Sequence, residues 1–392
     1  MQYRKFGRLG FEVSALGFGA MRLPTKEGKI NEEEAARMLR YAIDCGVNYV
    51  DTAYPYHDQT SEGFVGRALQ DGYRKKVKVA TKLPVWLVDK PEDLDKFLNK
   101  QLERLQMDYV DFYLLHSLNR ESWYKIRDLG VLDWAEKAMA DGRFRHLGFS
   151  FHGDYEEFVE IIDAYNWEMC QIQYNYMDIQ NQAGVKGLKY AADKGLAVVI
   201  MEPLLGGRLV GPPQPVQQIW DQATNKRTPA GWGLHWLWNQ PEISTVLSGM
   251  SNLEQVKENV ALAADSGVGV LNDEELALYD QVRAKYRELT AISCTNCRYC
   301  MPCPQGVDIP KNFKNYNDGI MFNKPESARG EYAWWKYAYE VQKSADTDIR
   351  AENCIQCQQC ESKCPQKIPI SKWMKTVAGV LGENKPYVTR LE

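Results

Sequence analysis

Tyr109-Val110-Asp111-Phe112-Tyr113-Leu114-Leu115-His116 is a short run of β-forming and apolar residues that ends on an imidazole. Eight residues are too few for a core helix, and the aromatic and branched content favours a buried strand. Upstream, Val77–Lys82 has the same character and ends on a lysine. Before it, Tyr49–Ala53 carries Asp51. Val13–Leu16, His146–Ser150, Cys170–Tyr174, Ala197–Met201 and Thr245–Ser248 are further runs of this kind, eight in all. Amphipathic segments lie between them. One opens with Asn31-Glu32-Glu33-Glu34, an Asn-x-x-Glu cap, and continues with Ala35, Met38, Leu39, Ala42 and Ile43 at helical spacing. Pro91–Leu105, Asp154–Ala164, Ala183–Lys194 and Asn252–Ala264 read the same way. Strand and helix repeated eight times over about 250 residues predict an α/β fold, the (β/α)8 TIM barrel. An open doubly wound sheet would carry Gly-x-Gly-x-x-Gly after its first strand. Leu16-Gly17-Phe18-Gly19-Ala20 lacks the third glycine.

The first ten residues, with Gly7 and Gly10, suit a hairpin that caps the barrel floor. Gly211-Pro212-Pro213-Gln214-Pro215 reads as a loop insertion, and Trp232–Trp238 as a buried aromatic helix. After Asn272–Leu289, an acidic-capped helix, the composition changes. A domain boundary near Thr290 is expected, with 1–290 as the barrel and 291–392 as a second domain.

That second domain holds eight of the ten cysteines, as Cys294-x2-Cys297-x2-Cys300-x2-Cys303-Pro304 and Cys354-x2-Cys357-x2-Cys360-x3-Cys364-Pro365. The second run has the bacterial ferredoxin spacing for a [4Fe–4S] cluster. Zinc also takes Cys-x2-Cys units, but four cysteines in one tight run suit a tetrahedral ion poorly. A disulfide framework belongs mainly to small secreted domains. The reading is two [4Fe–4S] clusters in a mainly helical, ferredoxin-like module, with Pro304–Asn353 as a long helical insert. Cys45 and Cys170 stand alone in apolar contexts and read as packing residues.

Net charge is −4 over 392 residues, with no long basic block, which excludes nucleic acid or an anionic membrane as an expected partner. No stretch has the ~18 apolar residues of a membrane span. The N-terminus reads as mature protein and the location as cytoplasmic.

Catalytic residues of such barrels collect at the C-terminal strand ends. There this chain sets Asp51, Tyr56, Lys82 and His116. A phenol is too weak an acid to shuttle protons readily at neutral pH, and a nearby ammonium lowers its pKa. Tyr56 reads as general acid, Lys82 as its tuner, Asp51 as the orienter. His116 would donate a hydrogen bond to a substrate carbonyl oxygen, where charge develops as hydride arrives.

LGFGAM (16–21), VDTAYPYH (50–57), SEGFVGRAL (61–69), VATKLP (79–84), YVDFYLLH (109–116), LGFSFH (147–152), QIQYNYMD (171–178) and LSGMSNLEQVKENV (247–260) together resemble the aldo-keto reductases, over nearly all of residues 1–290. With the cysteine domain, the chain is similar to the ferredoxin-fused branch of that family. The resemblance implies a nicotinamide cofactor, NADP or NAD, without flavin, a small carbonyl substrate, and the same tetrad. It also implies cofactor contacts: Gly19, Met21 and Asp51 near the first strands; Ser150 and Gln173 at the nicotinamide; Met201, Pro203, Leu204, Gly206 and Arg208 over the diphosphate. Ser248, Met250, Gln255, Glu258 and Asn259 would hold the adenosine end. Two departures stand out. His152 occupies a region where the family often has asparagine, and Gly249 and Gln255 stand where basic residues would clasp a 2′-phosphate. NAD therefore stays open.

In two-cluster ferredoxins the fourth cysteine of each run serves the other cluster. Cys294, Cys297 and Cys300 would then share one with Cys364, and Cys354, Cys357 and Cys360 the other with Cys303. Nicotinamide moves electrons in pairs and a cluster singly. Three readings follow: a carbonyl reductase wired to a one-electron redox protein, a working barrel with a structural or docking cluster module, or an electron-transfer subunit with an inactive barrel.

Overall fold

In a computed structural model that describes residues 1–294, 296–341 and 345–391, eight parallel strands close into a barrel. In chain order they are β1 (Leu16–Gly19), β2 (Tyr49–Asp51), β3 (Lys78–Leu83), β4 (Val110–Leu118), β5 (Phe144–Phe151), β6 (Met169–Gln173), β7 (Ala197–Met201) and β8 (Ile243–Ser248). Each pairs with its sequence neighbour, and β8 pairs with β1 through Val246↔Leu16, Leu247↔Gly17 and Ser248↔Phe18.

Seven of the eight strands fall on the expected runs. The first does not. Val13–Leu16 straddles two elements: Glu12–Ser14 belongs to an N-terminal hairpin with Tyr3–Lys5, and the barrel strand is Leu16–Gly19. Gly17 and Gly19 weaken the strand signal in sequence, yet closure uses them. A Cβ on Gly17 would lie 2.7 Å from Leu247 Cδ2, and one on Gly19 3.3 Å from the Ser248 carbonyl oxygen. The hairpin caps the floor as expected. Phe6 and Phe11 stack at 5.6 Å between centroids, and Phe6 packs on Tyr49 and Phe112 inside the barrel.

The helices between strands bury their apolar faces. Glu32–Asp44 buries Ala35, Met38, Leu39, Ala42 and Ile43 as its spacing predicts. Asn31 precedes it but makes no side-chain cap, so only the acidic first turn of that signal remains. Asp154 and Asn252 do cap their helices, accepting from Glu157 N and Gln255 N. Pro229–Trp238 is the buried aromatic helix, with Trp232 and Trp238 inside.

By packing, the chain forms two units, 1–206 with 227–272 and 207–226 with 273–392. Within the second, helices Ile309–Met321, Pro325–Glu340 and Ile370–Val377 enclose a core that includes Phe313, Tyr316, Tyr332, Trp335, Trp373 and Met374. The insert between the cysteine runs is helical, as expected. No helix among the described residues is long and apolar enough to cross a membrane.

Candidate active site

Lys82 ends its strand run on the inner side of β3, and its side chain is 1% exposed. Its Nζ donates to Asp51 Oδ1 at 2.6 Å, to the Thr52 carbonyl at 2.9 Å and to Tyr56 Oη at 3.2 Å. All three ammonium hydrogens are thus used, which fixes the amine as a cation. The strand is braced from behind. Buried Glu62 accepts from Thr81 Oγ1 at 2.7 Å and Gln101 Nε2 at 2.6 Å, and the same Nε2 donates to the Lys82 carbonyl at 2.9 Å. Tyr113 Oη closes the network on Gln101 Oε1 at 2.7 Å. A displaced Lys82 would have to break this set together.

Tyr56 follows β2 on a contorted loop. His57, Asp58 and Gln59 have φ of 49, 50 and 68°, left-handed values that side-chain-bearing residues rarely adopt. His57 Nε2 accepts from Leu23 N at 3.1 Å, which ties this loop to the one after β1. His116 stands on β4, its ring centroid 6.1 Å from that of Tyr56 and nearly perpendicular to it. Ser117, the next residue, is again left-handed, with φ of 60°. The four tetrad residues therefore converge.

Two polar atoms of the site are buried without a partner among the described residues, Asp51 Oδ2 and His116 Nδ1. Burial raises the Asp51 carboxyl despite the pull of Lys82. It also raises the Tyr56 phenol; Lys82 draws it back, while Asp51 and Glu202 push it further up. The net direction is upward, which corrects the expectation of a lowered phenol: desolvation outweighs the ammonium. His116 lies well below its usual range through burial, then the charges of Lys82 and His152. It is a neutral imidazole at neutral pH, able to donate one N–H.

Trp86, four residues beyond Lys82, was not singled out in the sequence. It sits 5.1 Å from the His116 ring and is 44% exposed, an apolar wall beside that imidazole. Its signal was available, since it falls in the loop after the strand that carries Lys82.

Of the expected cofactor residues, those of the first unit lie on the barrel strands or in the segments that follow them. Ser150 Oγ accepts from Ser117 N at 2.7 Å. Gln173 is held on both sides: its Nε2 donates to Asp178 at 2.9 Å and its Oε1 accepts from Gln182 at 2.7 Å. Met201 ends β7, and the loop beyond it places Pro203, Leu204 and Gly206 among left-handed Glu202 and Leu205. Ser248 Oγ accepts from Asn259 at 3.0 Å, Gln255 Oε1 from Ser251 N at 2.8 Å, and Glu258 from Thr228 at 2.6 Å. Gly19 abuts Ser248; Met21 is exposed and Met250 buried. Arg208 belongs to the second unit, where it donates to Asp318 and Glu331, each at 2.8 Å. The unpartnered Asp51 Oδ2 and His116 Nδ1, with polar Ser150 and Gln173 on the next two strands, suit a bound nicotinamide and carbonyl.

In the second unit the cysteines group crosswise. Cys294, Cys297, Cys300 and Cys364 line one void; Cys303, Cys354, Cys357 and Cys360 line another, whose wall Cys300 also touches. Among the described residues no three Cys, His, Asp or Glu side chains are close enough to share one metal ion. Thiolates around a single zinc would sit within about 4 Å of each other, given Zn–S near 2.3 Å. Four cysteines around each void are the ligand number of a [4Fe–4S] cluster. Burial raises Cys300 and Cys360 to about 11, with the negative charge of nearby groups adding to it. Such thiols ionise when a cationic centre compensates them. Cys170 is buried and its thiol raised, as a packing residue should be.

Comparison with known proteins agrees with this geometry. Residues 15–284 match the model of the aldo/keto reductase family, and residues 293–368 that of a 4Fe-4S dicluster domain. L-galactose dehydrogenase of Arabidopsis thaliana is 27% identical, over 74% of this chain and 97% of its own length. The NADH-specific methylglyoxal reductase of Escherichia coli K12 is 26% identical, over 65% and 89%. An aldo-keto reductase from Bacillus halodurans in its holo form superposes with a TM-score of 0.61 at 25% identity, covering 72% of this chain and 96% of that one. The chain belongs to the aldo/keto reductase family, as an oxidoreductase that carries a 4Fe-4S dicluster domain.

Proposed function

We propose that this aldo/keto reductase reduces an aldehyde or ketone with NAD(P)H and passes single electrons through two [4Fe–4S] clusters. The observation that carries the first part is the bond set of Lys82, which joins Asp51 and Tyr56 through one buried ammonium. A bound nicotinamide supplies a hydride to the carbonyl carbon. Tyr56 Oη gives its proton to the carbonyl oxygen, so one hydride and one proton convert the carbonyl to an alcohol. The raised phenol stays protonated at neutral pH, which suits the acid role. Lys82 stabilises the phenolate left behind, and Asp51 holds Lys82 in place. Neutral His116 donates to the carbonyl oxygen, and Trp86 shields the reacting centre from water. Ser150 and Gln173 would hold the carboxamide, and the loops after β7 and β8 the rest of the dinucleotide.

Cys294, Cys297, Cys300 and Cys364 would hold one cluster; Cys354, Cys357, Cys360 and Cys303 the other. Clusters carry one electron at a time. Cys297 and Cys357, one in each group, are exposed, which favours exchange with an outside redox protein over a purely structural role. Anaerobically prepared Tyr56→Phe tests the barrel reading: it should bind NADH as the wild type does and lose carbonyl turnover by about 10²–10⁴-fold. Unchanged turnover would sink the tetrad assignment.

A further inference from the structure

We propose that Lys363, Lys367, Lys372 and Lys375 form a docking edge for a small acidic protein that carries one electron at a time; the proposal rests on the cluster reading above and names the class of partner. The lysines are spread over residues 363–375, a stretch without Asp or Glu in a chain whose net charge is −4. All of them are exposed, and none has an ion pair or a side-chain hydrogen bond among the described residues. Helix Ile370–Val377 turns Ile370, Trp373, Met374 and Val377 into the core, which leaves Lys372 and Lys375 on its outer side. The nearby carboxylates are already engaged. Glu361 accepts from Ser371 N at 2.8 Å and from Ser371 Oγ at 2.6 Å, Glu352 pairs with Arg350, and Asp308 pairs with Arg298 at 3.5 Å.

The edge begins at the cysteines. Lys363 lines the void of Cys303, Cys354, Cys357 and Cys360, and its neighbour Cys364 lines the other void. Ile355, 62% exposed, and exposed Cys357 line the same void as Lys363, so an apolar spot and an electron outlet adjoin the first of the charges. Thiolate ligands make a bound cluster anionic, which by itself would repel an acidic protein. Unpaired ammonium groups beside it reverse that field locally and steer an acidic face onto the outlet. An anionic membrane would be drawn by the same charges, but it has no electron to exchange with the cysteines at their foot. On docking, the carrier gives up one electron and is oxidised, and the nearer cluster is reduced by it; no bond forms or breaks and no proton moves.

The test uses the full, cluster-loaded chain without oxygen and a fully reduced acidic flavodoxin, whose semiquinone absorbance reports each electron passed. A variant that combines Lys363→Gln, Lys367→Gln, Lys372→Gln and Lys375→Gln should react about tenfold or more slowly at about 0.01 M salt, and the gap should close to about twofold at about 1 M. Oxidised flavodoxin should bind the variant about tenfold more weakly at low salt, by calorimetry. Iron content, and reduction by methyl viologen, which needs no docking face, should match the wild type. Equal flavodoxin rates in the two proteins at low salt, or a wild-type rate that does not fall with salt, would overturn the proposal. So would lysine-dependent sedimentation with phosphatidylglycerol vesicles at unchanged flavodoxin rates. A wild type that methyl viologen reduces, but that exchanges no electron with flavodoxin or with a basic c-type cytochrome, would instead bring down the outside-partner reading on which this one rests.

Discussion

Lys82→Met removes the ammonium and leaves a side chain of similar length. Asp51 then has no charged partner in a site where its carboxylate is 3% exposed and one oxygen is already unpaired. The cheapest relief is protonation. Forcing a carboxyl of ordinary value 3.8 to hold its proton at pH 7 costs about 1.4 kcal/mol for each of roughly three pH units, or about 4 kcal/mol. Breaking a buried pair costs about 3–5 kcal/mol by experience elsewhere, so the two routes agree. For a barrel of this size that is a fall in Tm of about 8–16 °C. The pH dependence is the sharper test. The variant's Asp51 has a folded pKa above its unfolded value, so the unfolded state releases the proton first as pH rises. The deficit relative to wild type should therefore shrink by about 3 kcal/mol between pH 7 and pH 5. Asp51→Asn combined with Lys82→Met removes the lone charge, and should regain most of the stability while staying inactive. Thermal unfolding of anaerobic protein, read by barrel circular dichroism at the two pH values, measures all three. A deficit independent of pH, or a double variant no better than the single, would refute the argument.

Carbonyl reduction should hold steady through neutral pH and decline only on the alkaline side, because the acting group is a protonated phenol lying above its ordinary 10; alcohol oxidation should rise over the same range. Initial rates in both directions check this. Trp86→Ala should raise KM for the carbonyl several-fold more than it lowers kcat, since the ring walls the site without touching the proton path. Cys364→Ser and Cys294→Ser should each remove about half the bound iron, and together still only half, whereas Cys364→Ser with Cys354→Ser should remove nearly all. Iron analysis after anaerobic purification decides it. Gly66→Ala should lower Tm by several degrees, because its Cβ would lie 2.3 Å from the Leu105 carbonyl where two helices cross.

The meeting of Asp51, Tyr56, Lys82 and His116 was legible because a parallel barrel gathers strand-end residues at one rim, and Asp51, Lys82 and His116 each lie at or near the end of an apolar run. The cysteines were legible from spacing alone. What escaped depends on packing. Gly17 and Gly19 disguise the first strand, since the contact that requires them comes from β8, more than two hundred residues away in sequence. The pairing of Arg208 with Asp318 and Glu331 was not legible either, because more than a hundred residues separate the partners. The upward direction of Tyr56 reflects desolvation, which no local motif reports. Trp86 needed the position of His116 to acquire meaning.

The hairpin that stoppers the barrel also makes its base a handle. Gln2 is tied to Ala263 and Ala15, and Phe6 is locked inside the stave ring, at the end opposite Tyr56. A linker joined ahead of residue 1 and fixed to an electrode or bead would grip the enzyme from beneath. The reactive mouth would then look outward into the bulk solution, unobstructed by the support.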